Sequence, residues 1–381
     1  MSADQPATVR ELAQLGFADA VEIGRGGFGV VFRCHEVSVG RTVAVKLLHT
    51  DLDATNRARF FREGRAMGRL SGHPNVVEVL QVGETPGGRP FIVMPFLARG
   101  SLADRIERDG PVPWPDATTM GVRLAGALES AHRAGTLHRD VKPGNVLLSD
   151  YGEAQLTDFG IARMQGGFET QTGQFTGSVA YSAPDVLEGE PPSPRSDVYA
   201  LGATLFTVVA GYAAFARKPD EELLAQVLRI GRSPVPDLRA AGIPDDLCAV
   251  LEHAMAKKAT DRPQMTEFGK ALQEVQQRAG LAVAEMAVPA AAPTAPADPI
   301  TVRAAPPPPP PLQPTERAEP APPATAGRRW PRTLAIAVLV LLLIGVATLL
   351  VVIGVRAVST SVGAGEAREA VTAAVGHDRL P

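Results

Sequence analysis

The residues best suited to chemistry lie in one short stretch, His138-Arg-Asp140-Val-Lys142-Pro-Gly-Asn145, followed 13 residues past the asparagine by Asp158-Phe-Gly160. Two carboxylates, an amide and an ammonium at this spacing offer a proton acceptor, hard oxygen donors and a fixed positive charge. Carboxylate and carbonyl oxygens suit Mg²⁺, and no Cys/His cluster points to zinc. A carboxylate so placed can take the proton of an attacking hydroxyl while a cation neutralises a phosphoryl group in transfer. Well upstream stands Gly24-Arg-Gly26-Gly-Phe-Gly29-Val-Val31. Glycines at this spacing let backbone N–H groups come close to phosphate. Alone, the pattern is shared with a dinucleotide-binding turn.

The flanking elements separate the two readings. A dinucleotide turn opens a helix, whereas Val30 to Cys34 and Thr42 to Leu48 both read as strands. The second strand carries Lys46 in Val43-Ala-Val-Lys46. Thr55 to Ser71 then reads as a helix, with Phe60, Met67 and Leu70 at three- and four-residue spacings and Glu63 lying 17 residues after Lys46.

In this order the segments resemble a bacterial, actinobacterial-type eukaryotic-like (Hanks-type) serine/threonine protein kinase of the membrane-anchored kind, with the kinase domain at residues 14–278. The resemblance implies an α+β, bilobal protein-kinase fold, with a β-rich N-lobe, a helical C-lobe and ATP between them. It makes Asp140 the base, Lys142 the serine/threonine-type lysine, and Asn145 and Asp158 the ligands of Mg²⁺, with Mn²⁺ as the alternative. Lys46 would hold the α- and β-phosphates, oriented by Glu63. The nucleotide would lie against Ile23, Gly24, Gly26, Gly29, Val31 and Ala44 on one side and Leu147 on the other. Phe91-Ile-Val-Met94-Pro-Phe-Leu97 resembles the last N-lobe strand and hinge, with Met94 as gatekeeper and Pro95 and Leu97 offering backbone groups to adenine.

Four further residues carry over as supports. Asp197 anchors the catalytic loop, Arg262 bridges to Asp185 in Ala183-Pro-Asp185, and Arg139 awaits a phosphorylated loop. Thr170 and Thr172, within the segment from Asp158 to Asp185, resemble trans-autophosphorylation sites, which implies a transient kinase-domain homodimer beside protein substrates. Three positions depart from the family pattern. Asp185 stands in place of Glu and is one methylene shorter, so its bridge to Arg262 is expected to be strained or routed through water. Ser178 replaces a threonine and Pro95 an acidic hinge residue. None of these removes a phosphate, metal or proton-transfer group, which speaks against a non-catalytic scaffold. The long segment ending in Ala-Pro-Asp speaks against a small-molecule kinase.

The remaining composition sets limits. With 38 Lys+Arg against 41 Asp+Glu and a net charge of −3, no concentrated basic face for nucleic acid is expected. Cys34 and Cys248 read as small buried hydrophobes. Residues 286–327 are dominated by Ala and Pro, including six prolines from Pro306 to Pro311, and are expected to stay a disordered or polyproline linker. Leu334 to Val355 holds 22 residues without a charge, about 33 Å as a helix, enough for one transmembrane span. Arg328, Arg329 and Arg332 precede it, which places the kinase in the cytoplasm of a single-pass plasma-membrane protein and the short tail, 356–381, outside.

Overall fold

α1 (Gln5–Gln14) leads into β1 (Phe17–Gly26), β2 (Gly29–Glu36) and β3 (Arg41–Leu48) in the computed structural model, which describes residues 5–26, 29–48, 54–159, 179–289 and 301–303. β1 and β2 form a hairpin that closes at Gly26↔Gly29. β3 continues the antiparallel run onto β5 (Pro90–Pro95), which also pairs with β4 (Gln81–Glu84). α2 (Ala54–Leu70) connects β3 to β4. Both strands and the helix expected from the sequence are present, the helix starting and ending one residue earlier than the periodicity suggests.

β3 is apolar on both faces because it serves two cores. Val43, Val45 and Leu47 join Leu12 of α1 and Leu15 just after it with Phe17, Phe32 and Phe91. Ala44 and Leu48 turn the other way, into the main core with Phe60 and Met67 of α2. Lys46 lies between them in the same alternation.

The second half is helical apart from one short hairpin. α3 (Leu102–Asp109) opens on a reciprocal cap: Ser101 Oγ accepts from the Asp104 N–H at 3.1 Å, and the Asp104 carboxylate accepts from the Ser101 N–H at 2.8 Å. α4 (Trp114–Arg133) is followed by the hairpin β6 (Val146–Leu148) and β7 (Ala154–Leu156). Then come α5 (Pro184–Leu187), α6 (Pro194–Ala210), α7 (Leu223–Arg232), α8 (Asp245–Ala254) and α9 (Met265–Arg278). α6 is buried continuously from Ser196 to Val209, as a helix apolar all round must be. The expected β-rich and helical lobes are thus observed.

The chain after α9 departs from expectation. Met286 and Ala287, placed by composition at the start of a disordered linker, pack against α9 and α4. Farther on, β8 (Thr301–Arg303) runs parallel to β4 and makes it the inner neighbour of a sixth strand, in the order β1-β2-β3-β5-β4-β8. Ile300-Thr-Val302 is the one consecutive β-branched run in the Ala/Pro-rich stretch, which gives this triplet its strand preference. No helix among the described residues is long and apolar enough to cross a membrane. The expected span 334–355, the tail 356–381, the rest of the linker, and Thr170, Thr172 and Ser178 lie outside the described residues.

The glycine turn separates steric need from open space. A Cβ on Gly29 would stand 2.1 Å from the Leu47 carbonyl oxygen, while one on Gly26 would meet nothing within 4 Å. Gly29→Ala is therefore expected to destabilise by about 1–3 kcal/mol and Gly26→Ala by no more than about 0.5 kcal/mol, read from thermal melts of the two variants beside the parent chain.

Candidate active site

The loop from His138 to Asn145 is held from beneath by one carboxylate. Asp197, in the first turn of α6, accepts from the backbone N–H of His138 on Oδ2 and of Arg139 on Oδ1, both at 2.9 Å, and from His132 Nε2 at 2.8 Å. Arg139 adopts a left-handed backbone, φ 71°, a conformation costing on the order of 1–3 kcal/mol in a residue with a Cβ. The bonds to Asp197 are what hold it there. Burial works to raise the Asp197 pKa, but the His132 hydrogen bond, the nearby imidazoles and the amide donors outweigh it and keep the carboxyl below its ordinary value. His138 is fully buried, its ring 4.5 Å from that of Phe159. Burial depresses its pKa, against the pull of the Asp197, Asp140 and Asp158 charges. The sequence reading missed His132. A histidine in the last turn of a helix carries no stronger signal than a favourable contact with the helix dipole.

Asp140 is fixed from one side. Lys142 Nζ at 2.7 Å and Asn145 Nδ2 at 2.9 Å both donate to its Oδ2. Among the described residues this leaves Oδ1 as the atom for an incoming proton. Asn145 Nδ2 also donates to the Asp140 carbonyl at 2.8 Å, so the amide oxygen is the group that remains for a hard cation. The Asn145 carbonyl accepts from Thr157 N–H at 3.0 Å, which ties this loop to the residue before Asp158. Asp158 also has a left-handed backbone, φ 67°.

Lys46 differs from expectation. Among the described residues its ammonium pairs with Asp158 Oδ2 at 2.6 Å, not with Glu63, which sits half-buried on α2. An ammonium this buried needs a countercharge close by, and Asp158 supplies it across the two lobes.

Sheet register places the expected nucleotide contacts on one face. Val31 lies opposite Lys46 and Ala44 opposite Met94. Directly paired residues share a face, as do residues two apart on a strand, so Val31, Ala44, Lys46 and Met94 line the same side. Met94 is buried, with the Thr157 hydroxyl 3.9 Å from its sulfur. Leu147, half-buried, bridges to Ser101. Pro95 ends β5 opposite Val43, and the Leu97 carbonyl accepts from Gly100 N–H at 3.2 Å. Gly24 pairs with Val31, and Ile23 sits at the irregularity beside it, 48% exposed.

Residues 17–272 match the protein kinase domain. The chain belongs to the protein kinase family. It is 60% identical over 280 residues to serine/threonine-protein kinase PknK of Mycobacterium bovis, covering 73% of this chain and 25% of that protein. It is 39% identical over 249 residues to the DNA damage-responsive serine/threonine-protein kinase RqkA of Deinococcus radiodurans, covering 64% of this chain and 36% of that one. Serine/threonine-protein kinase PknB of Mycobacterium leprae is 35% identical over 249 residues, with 64% and 40% covered. The chain thus spans about a quarter of the length of the PknK relative.

One kinase-family expectation is corrected outright. The bridge from Asp185 to Arg262 is direct, Oδ1 to Nη2 at 2.6 Å, with no water between them. The arginine is brought to the shorter side chain. Its guanidinium is fixed by the carbonyls of Ala256 at 2.8 Å, Lys257 at 2.9 Å and Arg195 at 3.2 Å, and stands 5.1 Å from the Tyr199 ring. Asp185 also accepts from Ser196 Oγ at 3.2 Å. Cys34 is buried and its thiol is pushed up to about 12 by burial, so it behaves as the small hydrophobe expected.

Two measurements check this description. Asp185→Glu adds a methylene where the bridge is already made and is expected to destabilise by about 1–3 kcal/mol, whereas Arg262→Met strands the carboxylate and costs about 3–5 kcal/mol, both read by urea unfolding. His138 and His73 both have folded pKa values depressed below the ordinary 6.5. Their contribution to stability is therefore full above 6.5 and is lost as pH falls through the depressed values. Melting temperature should be level at about pH 7–8 and decline below 6.5.

Proposed function

We propose that this chain is a serine/threonine protein kinase that transfers the γ-phosphoryl group of MgATP to protein hydroxyls. The observation that carries the reading is Asp140, whose Oδ2 is occupied by Lys142 and Asn145 while Oδ1 is left to accept the proton of a substrate hydroxyl. Lys142, two residues after the base, steadies Asp140 and lies where it can offset charge on the transferring group. The donor set fits a hard divalent cation: the Asn145 amide oxygen and the Asp158 carboxylate would hold it. When bound, Mg²⁺ supplies charge neutralisation on the phosphates.

Lys46 and the face shared by Val31, Ala44 and Met94 hold the nucleotide. Leu147 closes the adenine site opposite them, and Pro95 and Leu97 provide main-chain partners. The open space at Gly24 and Gly26 leaves room for phosphate to approach the backbone. Glu63 on α2 is the countercharge for Lys46 when Asp158 serves the metal. Protein rather than small-molecule substrates fit the extended segment that ends in Asp185.

The reading includes self-activation: trans-autophosphorylation of Thr170 and Thr172 in a transient kinase-domain homodimer, with Arg139 receiving the phosphate. It also includes single-pass anchoring in the plasma membrane through 334–355, which confines the kinase to substrates at the cytoplasmic face.

The test is a γ-labelled ATP assay on the full chain with Mg²⁺, followed by phosphosite mapping. Asp140→Asn is expected to lower kcat by about 10²–10⁴-fold, the worth of a general base, with ATP still bound. Label should appear on Thr170 or Thr172 and vanish in that variant. An Asp140→Asn chain as active as the parent would overturn the assignment.

A further inference from the structure

The chain does not leave the C-lobe where α9 ends. Leu281 to Pro289 lies along α4 and α9 as an extended strap, beyond the residues that match the family domain. Gln276, fully buried, accepts the Ala284 N–H on Oε1 at 2.9 Å and donates from Nε2 to Thr119 Oγ1 at 3.0 Å. Gln273 Nε2 donates to the Ala284 carbonyl at 2.8 Å, and Arg133 Nη1 donates to that of Pro289 at 3.1 Å.

Two glycines form the seat of the strap. A Cβ on Gly269 would stand 2.4 Å from the Met286 sulfur, and one on Gly126 would stand 2.7 Å from the Ala287 carbonyl oxygen. Each glycine costs its helix about 1 kcal/mol relative to alanine, and in both cases the strap is the first thing an added methyl would strike.

The far end of the strap meets the turn that follows α2. The Ala287 carbonyl lies 2.8 Å from His73 Nε2, and His73 Nδ1 accepts the Asn75 N–H at 3.1 Å. A carbonyl can only accept and an amide N–H only donate, so the ring is the neutral Nε2–H tautomer. Burial, which lowers its pKa against the pull of the Ala287 bond, keeps it neutral. Asn75 continues to β7, donating to the Ala154 carbonyl and accepting from Leu156 N–H, both at 2.9 Å. α2 joins the same turn through His73 N–H to the Leu70 carbonyl at 2.9 Å. His73 therefore meets the strap through its ring, the end of the helix that carries Glu63 through its backbone N–H, and, by way of Asn75, the strand that ends two residues before Asp158.

We propose that Leu281–Pro289 is a working part of the kinase core, a strap that fixes the C-terminal end of α2, and so the position of Glu63, through His73. His73 and Met286 are positioning residues; they act on phosphoryl transfer through Glu63. The inference rests on the kinase activity proposed for this site, and its test has a readout that does not need that activity.

In the full chain, Gly269→Ala sets a methyl against Met286 while improving the propensity of α9. His73→Ala cuts the link with the strap still seated, and His73→Gln restores a side chain that can both donate and accept. Hydrogen exchange across residues 54–70 is expected to quicken by about tenfold in Gly269→Ala and His73→Ala, the factor for roughly 1.4 kcal/mol of lost restraint, with α6 and α8 unchanged. kcat should fall by a similar factor with the KM for ATP little altered, and His73→Gln should recover most of both.

A strap that only stabilises would lower the melting temperature and leave these readouts where they were. Glu63→Gln with and without His73→Ala should give the same kcat, since coupled positions are not additive; additive losses would overturn the proposal. So would unchanged exchange in α2. If Gly269→Ala fails to fold, the two His73 variants decide alone. If the parent chain transfers no phosphate, the activity is refuted while exchange in α2 still judges the strap.

Discussion

A single buried carboxylate organises the site. Removing an ionised group from water is costly unless every lone pair facing the interior is met, and Asp197 is met by two backbone amides and an imidazole. Its place in the first turn of α6 adds the positive end of a helix dipole. What this anchor secures is a strained backbone at Arg139, from which Asp140 follows directly. The same anchoring sets the His138 ring against Phe159, the neighbour of Asp158. Proton acceptor and metal-ligand candidate thus both trace back to one side chain that touches neither.

A second anchor of a similar kind packs against α6 from the turn that precedes α9. Arg262 is fully buried, and its charge is spread over three carbonyls, the Asp185 carboxylate and the face of Tyr199. A buried ion pair is weak support for net stability, but it leaves few arrangements open to the groups around it. Between these anchors the segment after Asp158 begins and ends on fixed points, whatever conformation lies between. Lys46 adds a charged joint between sheet and C-lobe, with Asp158 as its partner.

Much of this was legible in the sequence because the relevant geometry is local. Asp140, Lys142 and Asn145 sit within six residues, so their mutual hydrogen bonds follow once the loop is recognised. The face shared by Val31, Ala44, Lys46 and Met94 follows from strand alternation and hairpin pairing. What escaped was set by tertiary approach. His132 and Asp197 are 65 positions apart, and nothing near either announces the other. The choice of Asp158 over Glu63 by Lys46 depends on where two lobes bring two carboxylates. The direct Asp185 bridge depends on how far Arg262 is drawn toward it, which side-chain length alone does not reveal.

The chain after α9 shows why composition misled at that point. A stretch of Ala, Pro and Val is expected to stay unfolded because it offers little apolar area to offset chain entropy. Area was the wrong quantity here. The strap is held chiefly through its main chain, whose groups at Ala284, Ala287 and Pro289 are met by side chains of Gln273, Gln276, His73 and Arg133. Those partners are supplied by a core that is already folded, so the strap needs small residues that let its backbone approach. Alanine, a liability for independent folding, is an asset for lying against Gly126. The sequence signal lay in the receiving helices, where two interior glycines marked a place kept clear for another chain segment.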